Sequence, residues 1–214
     1  MKKYLLFLFV TLCFYSTNAQ FGESSKQVYS SPNLKEAVAK HKTVAILPFR
    51  VTISYKRMPK GFNTEANKAD EQKGGINLQQ GMYTFLLRKS ADYTVSFQET
   101  ERTNILLKNA QIFDKLDEIL PDSICKVLGV DAVIRASYAY EKTGSEAGAL
   151  AMTLLTHGGG GSKTGSGGMT LQVYNGSNGE LLWRFYKEMN ETLTSNGNEL
   201  MERMMKKVAR NFPY

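Results

Sequence analysis

Leu128-Gly129-Val130-Asp131-Ala132-Val133-Ile134 reads as the end of a helix running into a buried strand. Gly129 is free to take the left-handed backbone that closes many helices. The apolar run after Asp131 is what a strand sunk in a sheet shows. A second stretch, Asn178-Gly179-Glu180-Leu181-Leu182-Trp183, reads as a tight turn opening another strand, and it carries the only tryptophan.

Working outward, Ser31-Pro32-Asn33-Leu34 begins a short helix, with Ser31 placed to cap it and Pro32 suited to its first turn. Residues 42–55 form one strand of β-formers, in which Pro48 marks a bulge or a stretch without a ladder bond. Residues 56–75 read as a long polar connection, the kind of segment that is usually functional or disordered. Helical spacing resumes over 75–89, with Leu78, Met82, Phe85 and Leu86 on one stripe. A strand at 93–97 is followed by helices at 99–109 and 114–128. Strands at 131–142, 169–174 and 181–188 come next, the last two joined by Asn175-Gly176-Ser177-Asn178-Gly179. A helix over 198–210 buries Leu200, Met204 and Val208, widened by Met201 and Met205. These readings predict an α+β fold: one domain, a mixed sheet of about five strands packed by helices. A glycine-rich insertion, 144–168, separates two of the strands.

The amino terminus carries an address. Lys2 and Lys3 precede an apolar run from Tyr4 to Phe14, and Thr17-Asn18-Ala19 supplies the small residues of a cleavage site. This is the pattern of a secretory signal peptide over 1–19. The run is shorter than the roughly 20 residues a spanning helix needs. Residues 20–41 then form an extension bearing the short helix, and 42–214 the domain. No later run is long and apolar enough to span a bilayer as a helix.

Cleavage takes Lys2 and Lys3 away from a net charge of +7. The modest basic surplus of an exported chain suits an acidic envelope surface or protein, not nucleic acid. Of two cysteines, Cys13 lies in the signal peptide behind a bulky Leu12, unlike a lipoprotein signal. Cys125 is then the one mature thiol, so no internal disulfide can form. Its apolar neighbours Ile124, Val127 and Leu128 make it a small core residue.

No reactive constellation emerges. Gly158-Gly159-Gly160-Gly161-Ser162-Lys163-Thr164 resembles a phosphate loop, but His157 and Ser162 stand where that motif needs glycines. Gly165-Ser166-Gly167-Gly168 cannot open the helix that would hold the phosphate. The two histidines, His41 and His157, are far apart in sequence. Zinc-ligand spacing, His-Glu-x-x-His and Gly-x-Ser-x-Gly are all missing. Asp114, Asp117 and Glu118 read as a solvated helix face, and Trp183 with Phe185 as core or sheet-edge packing. The expectation is therefore no catalytic residue, no cofactor and no metal.

One set of motifs, in order, carries a family resemblance. It comprises Val44-Ala45-Ile46-Leu47-Pro48-Phe49, the helix with Gly81, Leu86 and Leu87, and Glu101-Arg102-Thr103-Asn104-Ile105-Leu106. The two stretches quoted first complete it. The order resembles a bacterial envelope superfamily that includes the periplasmic domain of the curli-secretion channel subunit and the activator lipoproteins of peptidoglycan synthases. The amino-terminal domain of TolB shares its general fold. The resemblance spans about Thr43 to Pro213 and implies a non-enzymatic protein that binds partners, forms rings or links the outer membrane to machinery beneath.

The resulting expectation is an exported interaction or assembly module of the periplasm or outer membrane. Its partner is another envelope protein or the outer-membrane/peptidoglycan layer, and its oligomeric state stays open. Candidate contact residues are Lys56, Arg57, Lys60, Lys68 and Lys73 in the polar connection, and Gly158 and Lys163 in the insertion. A channel subunit of the curli type is a first alternative. Against it, Ala147 to Leu155 does not alternate apolar with polar as a barrel strand does. An unrecognised cell-wall hydrolase is the second.

Overall fold

The computed structural model describes residues 26–142, 165–191 and 197–214. Residues 1–19, which read as a signal peptide, and most of the insertion, with Gly158 and Lys163, lie outside the described residues. The strands are β1 (Gln27–Ser30), β2 (Thr43–Ile46), β3 (Arg50–Tyr55), β4 (Ser96–Phe97), β5 (Ala132–Lys142), β6 (Gly165–Asn175) and β7 (Leu181–Glu191). The helices are α1 (Leu34–Val38), α2 (Thr64–Arg88), α3 (Thr100–Asn109), α4 (Pro121–Leu128) and α5 (Gly197–Val208). One seven-stranded mixed sheet runs β1-β7-β6-β5-β2-β4, and β3 also pairs with β5. The α+β class and mixed sheet are as expected. The strand count rises because residues 42–55 divide into β2 and β3, and because β1 joins the edge.

β2 and β3 are one line of chain interrupted at Leu47-Pro48-Phe49. Ile46 stands opposite Ile134 and Arg50 opposite Ser137, so this line holds one residue more than β5 between the same points. That extra residue makes a bulge, and Pro48, with no N–H to donate, sits in it as the sequence predicts.

Two apolar layers flank the sheet. On one face Val44, Ile46, Ile134, Leu171, Trp183 and Phe185 meet α2 and α5. Met201, Met204, Met205 and Val208 of α5 are fully buried there. Trp183 is core: its ring stacks on Phe185 at 6.0 Å and meets Phe212 edge-on at 5.8 Å. On the other face α3 and α4 bring Leu107, Ile124, Cys125 and Leu128 against Ala45, Leu47 and Val133. Farther along that face Ser137, Thr170, Gln172, Arg184 and Tyr186 are half-exposed.

The polar connection is shorter than expected. It covers 56–63, and α2 begins at Thr64, capped by Asn63, whose Oδ1 accepts the Ala66 N–H at 2.9 Å. The helix was hidden because the line it turns toward β3 is polar. Asn67, Glu71, Gly75 and Gln79 recur every fourth residue, one above another on a helix. Each serves a backbone group on the free side of β2 and β3. Gln79 Nε2 donates to Ile46 O at 2.7 Å, and Gly75 O accepts from Phe49 N at 3.2 Å. Glu71 Oε1 accepts from Ile53 N at 2.7 Å, and Asn67 Nδ2 donates to Ile53 O at 3.3 Å. A Cβ on Gly75 would lie 2.2 Å from Phe49 O, so only glycine lets α2 come this close.

Three further segments depart from expectation. Residues 114–128 are not one helix: Phe113–Glu118 is a 3-10 turn and α4 starts at Pro121. Proline disfavours helical backbone in the residue before it, and Leu120 is extended at φ −65°, ψ 143°. Gly165 to Gly168 belong to β6 instead of the insertion, and a Cβ on Gly167 would meet the Tyr138 hydroxyl at 2.6 Å. Residues 93–97 shorten to β4, which pairs with β2 at Ser96 and Phe97 alone. Gly129 closes α4 as expected, left-handed at φ 66°, ψ 43°.

Candidate interaction surface

β3 runs parallel to β5, and Tyr55 lies opposite Lys142. The end of β3, where the basic connection departs, is therefore also the end of β5, where residues 143–164 begin. Lys56 N donates to Lys142 O at 2.9 Å. Within the connection, Phe62 N donates to Pro59 O at 3.2 Å and Gly61 has φ +77°. This is a turn that needs glycine third, and it presents Lys60 at its tip. The Tyr55 ring anchors the turn: it meets Phe62 edge-on at 5.4 Å, and its hydroxyl donates to Asn67 Oδ1 at 3.2 Å. Lys142 Nζ lies 5.3 Å from the same ring.

Lys56, Arg57 and Lys60 are exposed together at this end, with Met58 64 % exposed among them. Lys142, which sequence reading left out, joins them because of strand pairing that only the fold reveals. Lys68 and Lys73 are also exposed but sit on α2. Their five-residue spacing turns them toward different sides of the helix. Lys68 lines a groove of about 650 Å³ beside the bulge, with Phe49, Val51, Phe113 and Leu116 as apolar wall. Arg50 and Asp117 pair across it at 3.3 Å, largely in solvent, where such a pair is worth ~1 kcal/mol or less.

The corner around β2, β5 and the β6–β7 turn is built differently. A polar cleft of about 590 Å³ is lined by Asn33, Glu36, Lys40, His41, Asp131 and Glu180, among others. Asp131 Oδ2 accepts the N–H groups of Lys42 and Thr43 at 2.8 and 2.9 Å. Although burial opposes it, these bonds and His41 beside it hold the Asp131 carboxyl below the usual range. His41 is buried; its Nδ1 lies 3.0 Å from the Tyr214 hydroxyl and its Nε2 3.4 Å from Asn175 Oδ1. Burial pushes its pKa down, against the pull of Asn175 and Asp131. Both ring nitrogens are thus engaged by protein groups that hold the corner. Asp131 and Asn175 tie β2, β5 and the β6–β7 turn together here.

Cys125 is buried and free. Burial, with Asp122 and Asp131 adding, pushes its thiol up to about 12, so it packs and stays protonated. Among the described residues, no three His, Cys, Asp or Glu side chains gather as a metal site. Among them too, no helix is long and apolar enough to cross a membrane.

No family model and no curated protein matches the chain. Similar solved structures include lipoprotein GNA1162 from Neisseria meningitidis, at 10% identity and TM-score 0.46 over 79% of this chain and 96% of that one. The PelC dodecamer from Paraburkholderia phytofirmans matches at 14% identity and TM-score 0.39, over 86% and 94%. The LpoB C-terminal domain from Escherichia coli matches at 9% and 0.32, over 75% and 94%.

Proposed function

We propose that this chain is an exported, non-enzymatic module of the bacterial envelope that grips another envelope protein through the basic end of its sheet. The observation that carries the reading is the parallel pairing of β3 with β5. It sets the turn bearing Lys56, Arg57 and Lys60 beside Lys142, from which the glycine-rich insertion departs. A turn braced by Tyr55, Phe62 and Asn67 presents these cations, and the chain leaves β5 for the insertion at the same end of the sheet. An acidic surface on the partner is the complement this end calls for. Gly158 and Lys163 belong to the proposal as part of that insertion, and Lys68 as a flank reached along α2.

The test is capture in the native host with a photo-crosslinker at Lys60, compared with the same protein carrying Lys56→Glu, Arg57→Glu and Lys142→Glu. The reading predicts one dominant envelope protein, lost on charge reversal and weakened by salt. Capture that ignores both charge reversal and removal of residues 147–162 contradicts it. Stable rings inserted in the outer membrane would favour the channel alternative instead.

A further inference from the structure

The rim formed by β1 is bare where that of β2 and β3 is covered. Ser31 N donates to Leu182 O at 2.8 Å, and the register continues with Tyr29 opposite Arg184 and Gln27 opposite Tyr186. Bonding alternates along an antiparallel ladder, so Gln27 and Tyr29 bond inward to β7. The N–H and C=O groups of Val28 and Ser30 then point away from the sheet. All of β1 is exposed, Val28 by 42 % and Tyr29 by 48 %. Protein sheets guard such rims with lysine, proline, a bulge, a covering element or shortness, and of these β1 has only its four-residue length. Gln27-Val28-Tyr29-Ser30 has no such residue, and no described element lies over it.

We propose that this rim is a self-association surface, on which β1 of a second copy pairs antiparallel and joins two sheets across a two-fold axis. Register and charge identify the occupant. The outward groups belong to Val28 and Ser30, so Val28 pairs with the partner's Ser30 and Ser30 with the partner's Val28. Tyr29 then sits on the axis opposite its own copy, at a non-hydrogen-bonded position where cross-strand side chains come closest. Gln27 falls opposite the partner's Ser31, so every residue of 27–31 meets another of the same segment. No charge faces a like charge. In a basic chain, an uncharged strip is where two copies repel least, and Lys26 lands opposite the partner's Pro32. The contact is isologous and closes on itself. A strip of four residues falls short of the ~1,200 Å² of a stable complex, so the dimer is weak.

Sedimentation of the purified exported protein over micromolar to millimolar concentration tests this. The expected result is a reversible monomer–dimer equilibrium. Val28→Pro removes an N–H that the fold does not use. It should weaken association about tenfold or more, by deleting half of the new ladder bonds, and leave the unfolding midpoint unchanged. Tyr29→Cys should give a reducible dimer on mild oxidation, faster than Lys40→Cys, an exposed control outside the rim. A monomer at every concentration, or a Val28→Pro variant that associates as well as its parent, overturns the proposal. Should Tyr29→Cys misfold, seen as lost circular dichroism, the sedimentation pair decides alone. No envelope partner is present in these experiments, so their outcome is independent of capture at the basic end.

Discussion

Two rims of the same sheet have been treated in opposite ways. Along β2 and β3, α2 lays down Asn67, Glu71, Gly75 and Gln79, and the backbone groups of Ile46, Phe49 and Ile53 find partners there. A helix stands in for the missing strand. Along β1 no described element supplies such a line, and Val28 and Ser30 face outward. The contrast teaches that exposed backbone here is local and not a general looseness: where the fold needs a rim closed, polar side chains close it at fixed helical spacing.

The largest predicted effect comes from breaking the covered rim. Gly75→Ala places a methyl 2.2 Å from Phe49 O, a backbone atom that cannot step aside. It should cost about 3 kcal/mol or more, read from denaturant unfolding. Glu71→Ala leaves the Ile53 N–H without its acceptor and should cost about 1–2 kcal/mol. Hydrogen exchange at Ile53 should quicken in that variant while the β5–β6 ladder keeps its protection. If Glu71→Ala is silent by both measures, the rim is not sealed by side chains, and the comparison fails.

The corner away from the basic end gives a pH signature. Burial holds His41 below its ordinary 6.5, so the unfolded chain takes up the proton first as pH falls. Its contribution to stability is complete above about 6.5 and declines as pH drops toward the depressed folded value. His41→Asn should flatten that slope relative to the parent, measured as unfolding free energy against pH. The smallest effect belongs to the exposed cations: Lys56→Glu, Arg57→Glu and Lys60→Glu together should shift stability by about 0.5 kcal/mol or less.

The same contrast explains what could be read from residues alone. β5, β7 and the buried Trp183 announce themselves by apolar content, Gly129 by its place after a helical run, and Pro48 by lacking an N–H. The first turns of α2 do not, since the face they turn to β3 carries Asn67, Glu71 and Gly75, and apolar periodicity is blind to a polar seam. β1 escaped because four exposed residues show no alternation. Pro121 divided a run that spacing alone made continuous. At the candidate surface, Lys56, Arg57 and Lys60 were legible as a basic cluster. Their meeting with Lys142 was not, because it depends on β3 lying parallel to a strand far away in sequence. Lys68 and Lys73 share the polar composition of residues 56–75, but they stand on α2.

The most direct test of the account is photo-crosslinking from Lys60 in living cells of the native host, with unfolding of the same variants measured alongside. The account predicts that reversing Lys56, Arg57 and Lys142 abolishes capture of an envelope protein while the unfolding midpoint holds. Undiminished capture by a charge-reversed protein that remains fully folded would contradict it.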